Sequence, residues 1–190
     1  MTEPDRIATR VAAAARGDAA AWKELYGDLL PGVWRYVASR IPRRTDVEDV
    51  VQEAFLAIVR ALPGYREEGR FFGFAFTIVR QRVAEWFRAR GRAPESVPAD
   101  LVELISREEL PPEAFARRET RALLRRALLT LSPTHREALT LKYAEGLRFA
   151  DLADTLRLSE AAAKSLVIRA KNALRIAMAR EVDPAPGGER

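Results

Sequence analysis

The 190-residue sequence predicts an all-α protein made of two small helical domains joined by a linker. Apolar side chains recur at helical spacing along almost the whole chain, and no stretch alternates convincingly with period two. Residues 92–116 interrupt this pattern with four of the eleven prolines and six acidic side chains, which is the composition of a linker. Hydrophobic residues make up 48% of the chain, enough for packed cores. We therefore expect domains at 1–91 and 117–180, a linker at 92–116 and a disordered tail at 181–190.

The composition argues against most enzyme classes. The chain has no cysteine and one histidine, His135, which removes disulfides, zinc ribbons, thiol nucleophiles and two-histidine mechanisms. No Gly-rich phosphate loop, metal-ligand spacing or catalytic triad is present, so we expect neither catalysis nor a cofactor or metal. The N-terminus is polar and no apolar run is long enough to span a membrane, which predicts a cytoplasmic protein without membrane insertion.

Charge is distributed unevenly along the chain. Residues 117–180 carry 14 basic and six acidic side chains, whereas residues 92–116 carry two and six. A basic block after an acidic connector indicates a polyanion as the partner of the C-terminal domain. On charge alone, a solvated basic helical surface explains the same numbers equally well.

Local signals divide the N-terminal half into helices. Asp18 can cap a helix that begins after Gly17, and Pro31-Gly32 marks either a kink or a first-turn proline. Thr45 and Glu48 have the spacing of a capping box. Pro63-Gly64 ends the helix that follows, and a longer helix is predicted from about Phe71 to Arg90. The Thr45 helix carries one apolar stripe: Val47, Val50, Val51, Ala54, Phe55, Ile58 and Leu62.

Residues 148–179 have the layout of a helix-turn-helix. Two short amphipathic helices, about 148–156 and 160–179, are separated by a tight turn that Leu158 is expected to fill, and Ser159 is expected to cap the second helix. In such motifs the N-terminal part of the second helix enters the major groove and nearby basic residues hold phosphates. The pattern alone is also typical of ordinary helical proteins. The inward-facing positions are Phe149, Leu152, Ala153, Leu156, Ala163, Val167, Ala170 and Leu174.

The C-terminal half resembles region four of the extracytoplasmic-function (ECF) sigma factors. Residues 131–139 and 142–147 followed by the helix-turn-helix carry this resemblance, which implies reading of the minus-thirty-five promoter element and docking on the beta flap of RNA polymerase. Arg157 stands where the turn usually has glycine, and Leu166 stands where the second helix commonly has arginine. The implied DNA-contacting residues are Ser159, Glu160, Ala161, Lys164, Ser165, Ile168, Arg169 and Lys171.

Residues 46–56 resemble the part of region two that docks on the beta-prime coiled coil of RNA polymerase. One helix there presents an acidic, amide-bearing face suited to a basic partner. Taken alone, the same side chains would only solvate the helix and complement its dipole. The implied polymerase-binding residues are Asp46, Glu48, Asp49, Gln52 and Glu53.

Residues 69–88 resemble the minus-ten recognition and melting helix of region two. Strand separation requires a cationic track for the backbone and pockets or aromatic faces for unstacked bases. Phe74, Thr77 and Gln81 replace the tryptophan, arginine and asparagine usual in the family, and Phe74 and Phe76 fit a core better than a stacking platform. The implied minus-ten residues are Arg66, Arg70, Phe71, Phe72, Arg80, Gln81 and Arg88.

These resemblances together predict an alternative sigma factor whose partners are core RNA polymerase, promoter DNA and an anti-sigma factor. The protein would be associated with the nucleoid when bound to polymerase. A stand-alone helix-turn-helix regulator is the main alternative, but it gives no reason for the patterns at 46–56 and 69–90. An adaptor that has lost DNA reading, or an enzyme, would explain less. Dependence of promoter binding on polymerase distinguishes a sigma factor from a stand-alone regulator.

Overall fold

The computed structural model describes residues 3–66, 69–91, 101–102, 105 and 118–182. Those residues form eight α-helices and no β-strand. The helices are α1 (Glu3–Ala15), α2 (Ala19–Ala38), α3 (Arg44–Ala61), α4 (Phe71–Ala89), α5 (Arg118–Thr130), α6 (Pro133–Leu139), α7 (Phe149–Leu156) and α8 (Glu160–Val182). A 3-10 turn, Leu62–Gly64, follows α3, and a π-helical turn, Thr140–Ala144, extends α6. The predicted all-α fold is confirmed.

The helix-start signals are only partly confirmed. Asp18 accepts bonds from the amides of Ala20 and Ala21 at 2.9 and 3.1 Å, so it caps α2 as predicted. Helix α2 continues through Pro31 without ending. The predicted Thr45–Glu48 capping box is wrong because α3 begins one residue earlier, at Arg44. The Glu48 carboxylate instead accepts a bond of 3.0 Å from the Arg44 guanidinium.

The largest apolar core lies among α1–α4 and continues into the C-terminal helices. Val33, Ala54 and Val79 are fully buried in its N-terminal part. Leu152 of α7 and Val167 of α8 are buried in the same cluster. The N-terminal and C-terminal helices therefore share one core. Their arrangement is not that of two separately packed bodies on a string.

A second core is confined to the C-terminal half and includes part of the predicted linker. Leu101 and Ile105 of the predicted linker are buried against the chain's own α5 and α8. Leu124 and Leu174 provide two of the side chains in that cluster. Leu104, Leu110 and the linker prolines lie outside the described residues, as do residues 183–190 of the predicted tail.

Candidate polymerase and DNA interfaces

Helix α3 presents most of the predicted polymerase-binding residues on one exposed face. Its apolar stripe is buried against α2 and α4, and this turns Asp49, Gln52 and Glu53 to solvent as neighbours on the helix surface. Glu48 is exposed beside them. Asp46 does not join this face: its carboxylate lies 3.4 Å from the Arg90 guanidinium at the end of α4. The five predicted residues thus divide into four on one exposed face and one that ties α3 to α4.

An open apolar groove borders this acidic face. The groove encloses about 670 Å³ between α2 and α3, and both Glu48 and Gln52 line its rim. Leu56 is 47% exposed and Val59 is 42% exposed, so large apolar side chains remain uncovered there. The sequence analysis missed this groove, although Leu56 and Val59 fall outside the buried stripe of α3. The remaining lining residues are Trp22, Tyr26, Leu30, Pro31, Trp34, Val51 and Phe55.

The predicted minus-ten residues occupy different environments along α4 and the turn before it. Arg66, Gln81 and Arg88 are exposed, and the Gln81 amide donates a bond of 3.0 Å to Glu85. Phe71 is only 1% exposed and packs edge-on against neighbouring aromatic rings. The expectation that Phe71 contacts DNA is therefore not supported, since its ring belongs to the core. Phe72 is half-buried.

Two of the predicted minus-ten arginines pair with acidic side chains of the C-terminal helices while staying partly exposed. The Arg70 guanidinium lies 3.2 Å from the Asp154 carboxylate of α7. The Arg80 guanidinium lies 3.5 Å from the Glu137 carboxylate of α6. Part of the predicted minus-ten face is therefore covered by the domain that carries the helix-turn-helix.

The helix-turn-helix has the predicted layout with one difference in its turn. The Ser159 hydroxyl accepts a bond of 3.2 Å from the Ala162 amide, which confirms the predicted cap. Arg157 adopts the left-handed conformation, with φ 56° and ψ 48°. Leu158 does not fill the turn, because 40% of it is exposed. The four inward positions predicted on α8 are buried: Ala163, Val167, Ala170 and Leu174.

The outer face of α8 carries the predicted minus-thirty-five residues. Ile168 is 58% exposed and Lys171 is half-buried. Leu166, which stands where relatives commonly have arginine, is buried in the large core and so does not face the outer surface. Six further predicted residues are exposed: Ser159, Glu160, Ala161, Lys164, Ser165 and Arg169.

Charges from both halves of the chain meet at the tip of α8. The Lys164 ammonium lies 2.9 Å from the Glu160 carboxylate. This hydrogen bond and the charge of Lys164 lower the pKa of Glu160, and the positive charge of Arg70 adds to the effect. Arg70 precedes α4, so the beginnings of α4 and of α8 are electrostatic neighbours.

Neither a metal site nor a membrane-spanning helix is present among the described residues. No group of three or more histidine, aspartate or glutamate side chains in the described ranges could hold a metal ion. The helices within those ranges also fall short of the length and apolar character needed to cross a bilayer.

A helix-turn-helix beside a second helical unit is typical of DNA-binding proteins. Comparison with known families makes this class specific. Residues 25–93 match the model of Sigma-70 region 2, and residues 121–174 match that of Sigma-70, region 4. The chain belongs to the ECF sigma factors of the sigma-70 family and is an alternative sigma factor that directs transcription initiation.

Curated relatives agree with this assignment. ShbA, an ECF RNA polymerase sigma factor of Streptomyces griseus, is 35% identical over 89% of this chain and 93% of its own length. BldN of Streptomyces coelicolor is 29% identical over 89% of this chain, which spans 64% of the length of BldN. The sigma-E factor of Escherichia coli is 29% identical, covering 75% of this chain and 76% of its own length.

The solved structures of two protein complexes contain chains that share the fold. CnrH, in complex with the cytosolic domain of CnrY, superposes with a TM-score of 0.64 at 24% identity, covering 95% of this chain and 99% of CnrH. RpoE of Bartonella quintana, in complex with the anti-sigma factor NepR, gives a TM-score of 0.57 at 23% identity, covering 83% and 96%. At this level of identity the likeness concerns the fold alone.

Proposed function

We propose that this sigma factor binds core RNA polymerase through the exposed face of α3, with the beta-prime coiled coil as the partner element. The observation that carries the proposal is the combination of Asp49, Gln52 and Glu53 on one face with the open apolar groove beside them. A helical partner with basic and apolar side chains would be complementary to both surfaces. The buried stripe of α3 holds the face rigid, so little ordering cost accompanies binding.

Promoter DNA is the second proposed partner, contacted by both halves of the chain. The helix-turn-helix would read the minus-thirty-five element with the outer face of α8, while the same domain docks on the beta flap. The exposed arginines of α4 and the turn before it would hold the melted minus-ten strand. Because both DNA contacts belong to one molecule, the first raises the effective concentration for the second, and the overall affinity for the promoter increases. Both should weaken with salt because phosphates supply much of the binding.

An anti-sigma factor is the third proposed partner. CnrH and RpoE, which share this fold, were each solved as complexes, RpoE with the anti-sigma factor NepR. The apolar groove of α2 and α3 offers an amphipathic helix about 670 Å³ of unfilled space. Occupation of this groove would compete with core polymerase. The proposed role needs no catalysis and no cofactor.

The decisive test is a pull-down with purified core polymerase followed by run-off transcription on a promoter library. The variant Asp49→Ala/Gln52→Ala/Glu53→Ala removes exposed side chains only, so it should fold normally. We expect its retention by core polymerase to fall roughly 30-fold, as for the loss of an interface hot spot, and its specific transcripts to disappear.

A charge-matched control accompanies the triple variant. Glu24→Ala/Glu119→Ala removes two exposed carboxylates outside the α3 face and should bind core polymerase like wild type. A wild-type chain that ignores core polymerase yet binds duplex DNA would overturn the proposal and favour a stand-alone helix-turn-helix regulator. An equal loss in the control would show that net charge, and not the α3 face, governs binding.

A further inference from the structure

A cleft of about 640 Å³ opens between α4, the beginning of α6 and the end of α7. This volume lies within the range of small-molecule sites, roughly 300–1,000 Å³. Three of the lining residues, Tyr36, Thr140 and Thr155, are at most 2% exposed, so the cleft has a closed floor. A closed floor suits a compact ligand better than a polymer that has to pass through.

The lining of this cleft is strongly basic. Among the described residues, five arginines and one carboxylate, that of Glu137, line it. Glu137 lies 2.8 Å from the Arg40 guanidinium and 3.5 Å from that of Arg80, so one negative charge is shared by two of the arginines. A cleft lined by charges of one sign concentrates ions of the opposite sign, and this one therefore suits an anion. The five arginines are Arg40, Arg80, Arg88, Arg136 and Arg157.

Arg157 lines the cleft in a backbone conformation that arginine rarely adopts. In the described part of the chain it is the only non-glycine residue with a positive φ, 56°. It is exposed, and within those ranges neither a carboxylate nor a carbonyl oxygen accepts a bond from its guanidinium. Strained residues of this kind are concentrated at ligand sites. The glycine that is usual in the family at this turn would supply neither the strain nor the charge.

The side chains of α4 divide the cleft into a charged part and an apolar part. Arg80 and Arg88 are about 12 Å apart along the helix, at ~1.5 Å per residue. Guanidinium groups bind phosphate oxygens through paired hydrogen bonds. Between the two arginines, Val83, Ala84 and Phe87 provide an apolar wall. A ligand with several phosphates and a flat ring would be complementary to both parts.

We propose that this cleft binds a nucleoside triphosphate, with the phosphates held by Arg80, Arg88 and Arg157 and the base against the apolar wall. The ligand is bound and not consumed. Arg80 and Arg88 also belong to the predicted minus-ten set, so a bound nucleotide and a melted promoter strand would exclude each other there. That consequence rests on the proposed promoter binding, whereas nucleotide binding is a property of the free chain.

Arg157→Gly is the sharpest test, because its effects on binding and on stability have opposite signs. In isothermal titration calorimetry of the free full-length chain with ATP, we expect one site in wild type. The variant should bind ATP roughly tenfold more weakly, since a charge-assisted hydrogen bond is lost. Glycine adopts a positive φ without strain, so thermal melting should show a variant at least as stable as wild type. Unfolding then cannot account for the lost affinity.

Arg88→Gln and Arg60→Gln form a matched pair of charge changes. Each removes one exposed positive charge from a helix, but of the two only Arg88 lines the cleft. We expect Arg88→Gln to weaken ATP binding and Arg60→Gln to bind like wild type. An equal loss in both variants would show that net charge alone attracts ATP, and it would overturn the site.

Inorganic pyrophosphate and adenosine test the two parts of the ligand separately. We expect each to bind at least roughly tenfold more weakly than ATP, because each fills only one part of the cleft. Pyrophosphate that binds as tightly as ATP would contradict the nucleotide assignment. A wild-type chain that does not bind ATP at millimolar concentration, or equal binding by Arg157→Gly, would exclude the site. Neither polymerase nor promoter DNA is present, so failure here is distinct from failure of the sigma-factor interfaces.

Discussion

Helices α3 and α4 pack against each other and both carry predicted functional side chains, yet their outer faces differ. Asp49, Gln52 and Glu53 of α3 stand in solvent beside an open groove. The arginines of the minus-ten set are instead partly engaged, with Arg70 on Asp154 and Arg80 on Glu137. One face is ready for a partner, and the other is partly covered by the same chain.

This difference decides what a partner would meet. A partner of α3 finds its surface exposed, whereas a partner of Arg70 or Arg80 must compete with carboxylates of the same chain.

The largest expected effect is on the exposed α3 face and the groove beside it. Leu56→Glu places a charge in the apolar groove and should weaken retention by core polymerase roughly 30-fold, because a desolvated carboxylate would face an apolar partner. Leu56 is 47% exposed, so the folded chain should keep its stability within about 0.5 kcal/mol. Ile176→Glu, at an equally exposed apolar position on α8, is the control for pull-down and thermal melting. Normal binding by Leu56→Glu would exclude the groove from the interface.

An intermediate effect is expected on the pH dependence of the contact between Tyr36 and Glu137. Burial raises the pKa of Tyr36 well above its usual 10, and the negative charge of Glu137 raises it further, while Arg40 and Arg80 oppose this. A pKa raised in the folded state means that the stabilisation from Tyr36 is complete below pH 10 and is lost as pH rises through the raised value. The melting temperature of wild type, measured by circular dichroism, should therefore fall in alkaline solution.

The control for this titration is a pair of Tyr→Phe variants in α2. Tyr36→Phe loses a hydrogen bond to a charged acceptor, at a cost of about 1.5 kcal/mol, and should lose this component of the alkaline destabilisation. Tyr26→Phe, on the exposed groove side, should follow the wild-type pH profile. Identical profiles for wild type and Tyr36→Phe would contradict the assigned role of the hydroxyl.

The smallest expected effect is on the stability of the turn in the helix-turn-helix, which lies outside both faces. Arg157 holds a left-handed backbone that costs a non-glycine residue about 1–2 kcal/mol, so Arg157→Gly should stabilise the chain by about 0.5–1 kcal/mol after the entropy cost of glycine. The melting temperature should rise by about 2–3 °C, measured by circular dichroism. Arg175→Gly, at a right-handed helical position in α8, should have the opposite sign. Equal destabilisation by both variants would show that the Arg157 side chain stabilises the turn more than its backbone strains it.

Much of the fold followed from local chemistry. Asp18 and Ser159 mark helix starts because their side-chain oxygens accept bonds from amides of the first turn, and this depends on neighbouring residues alone. The buried face of α8 was also predictable, from the spacing of its apolar residues. The Thr45–Glu48 box failed because Arg44 competes for the same carboxylate, a choice between two local partners that the pattern could not rank.

The candidate sites were predictable only as sets of residues on helices. Asp49, Gln52 and Glu53 share a face because residues three and four apart are neighbours on any helix. The sequence could not predict the groove beside them or the ion pair of Asp46 with Arg90. Both depend on how α2 and α4 pack on α3. The burial of Phe71 could not be predicted for the same reason, because an aromatic side chain at the start of a helix fits a core or a DNA contact equally well.

The sequence by itself determined that the chain is helical and which family it resembles, because periodicity, caps and motifs are properties of short segments. Only the tertiary structure decided how the two halves of the chain meet. The contact of Gly73 with Asp151 joins positions 78 residues apart, and that of Tyr36 with Glu137 joins positions 101 apart. Such pairings depend on the complementarity of whole surfaces, and no local pattern encodes them.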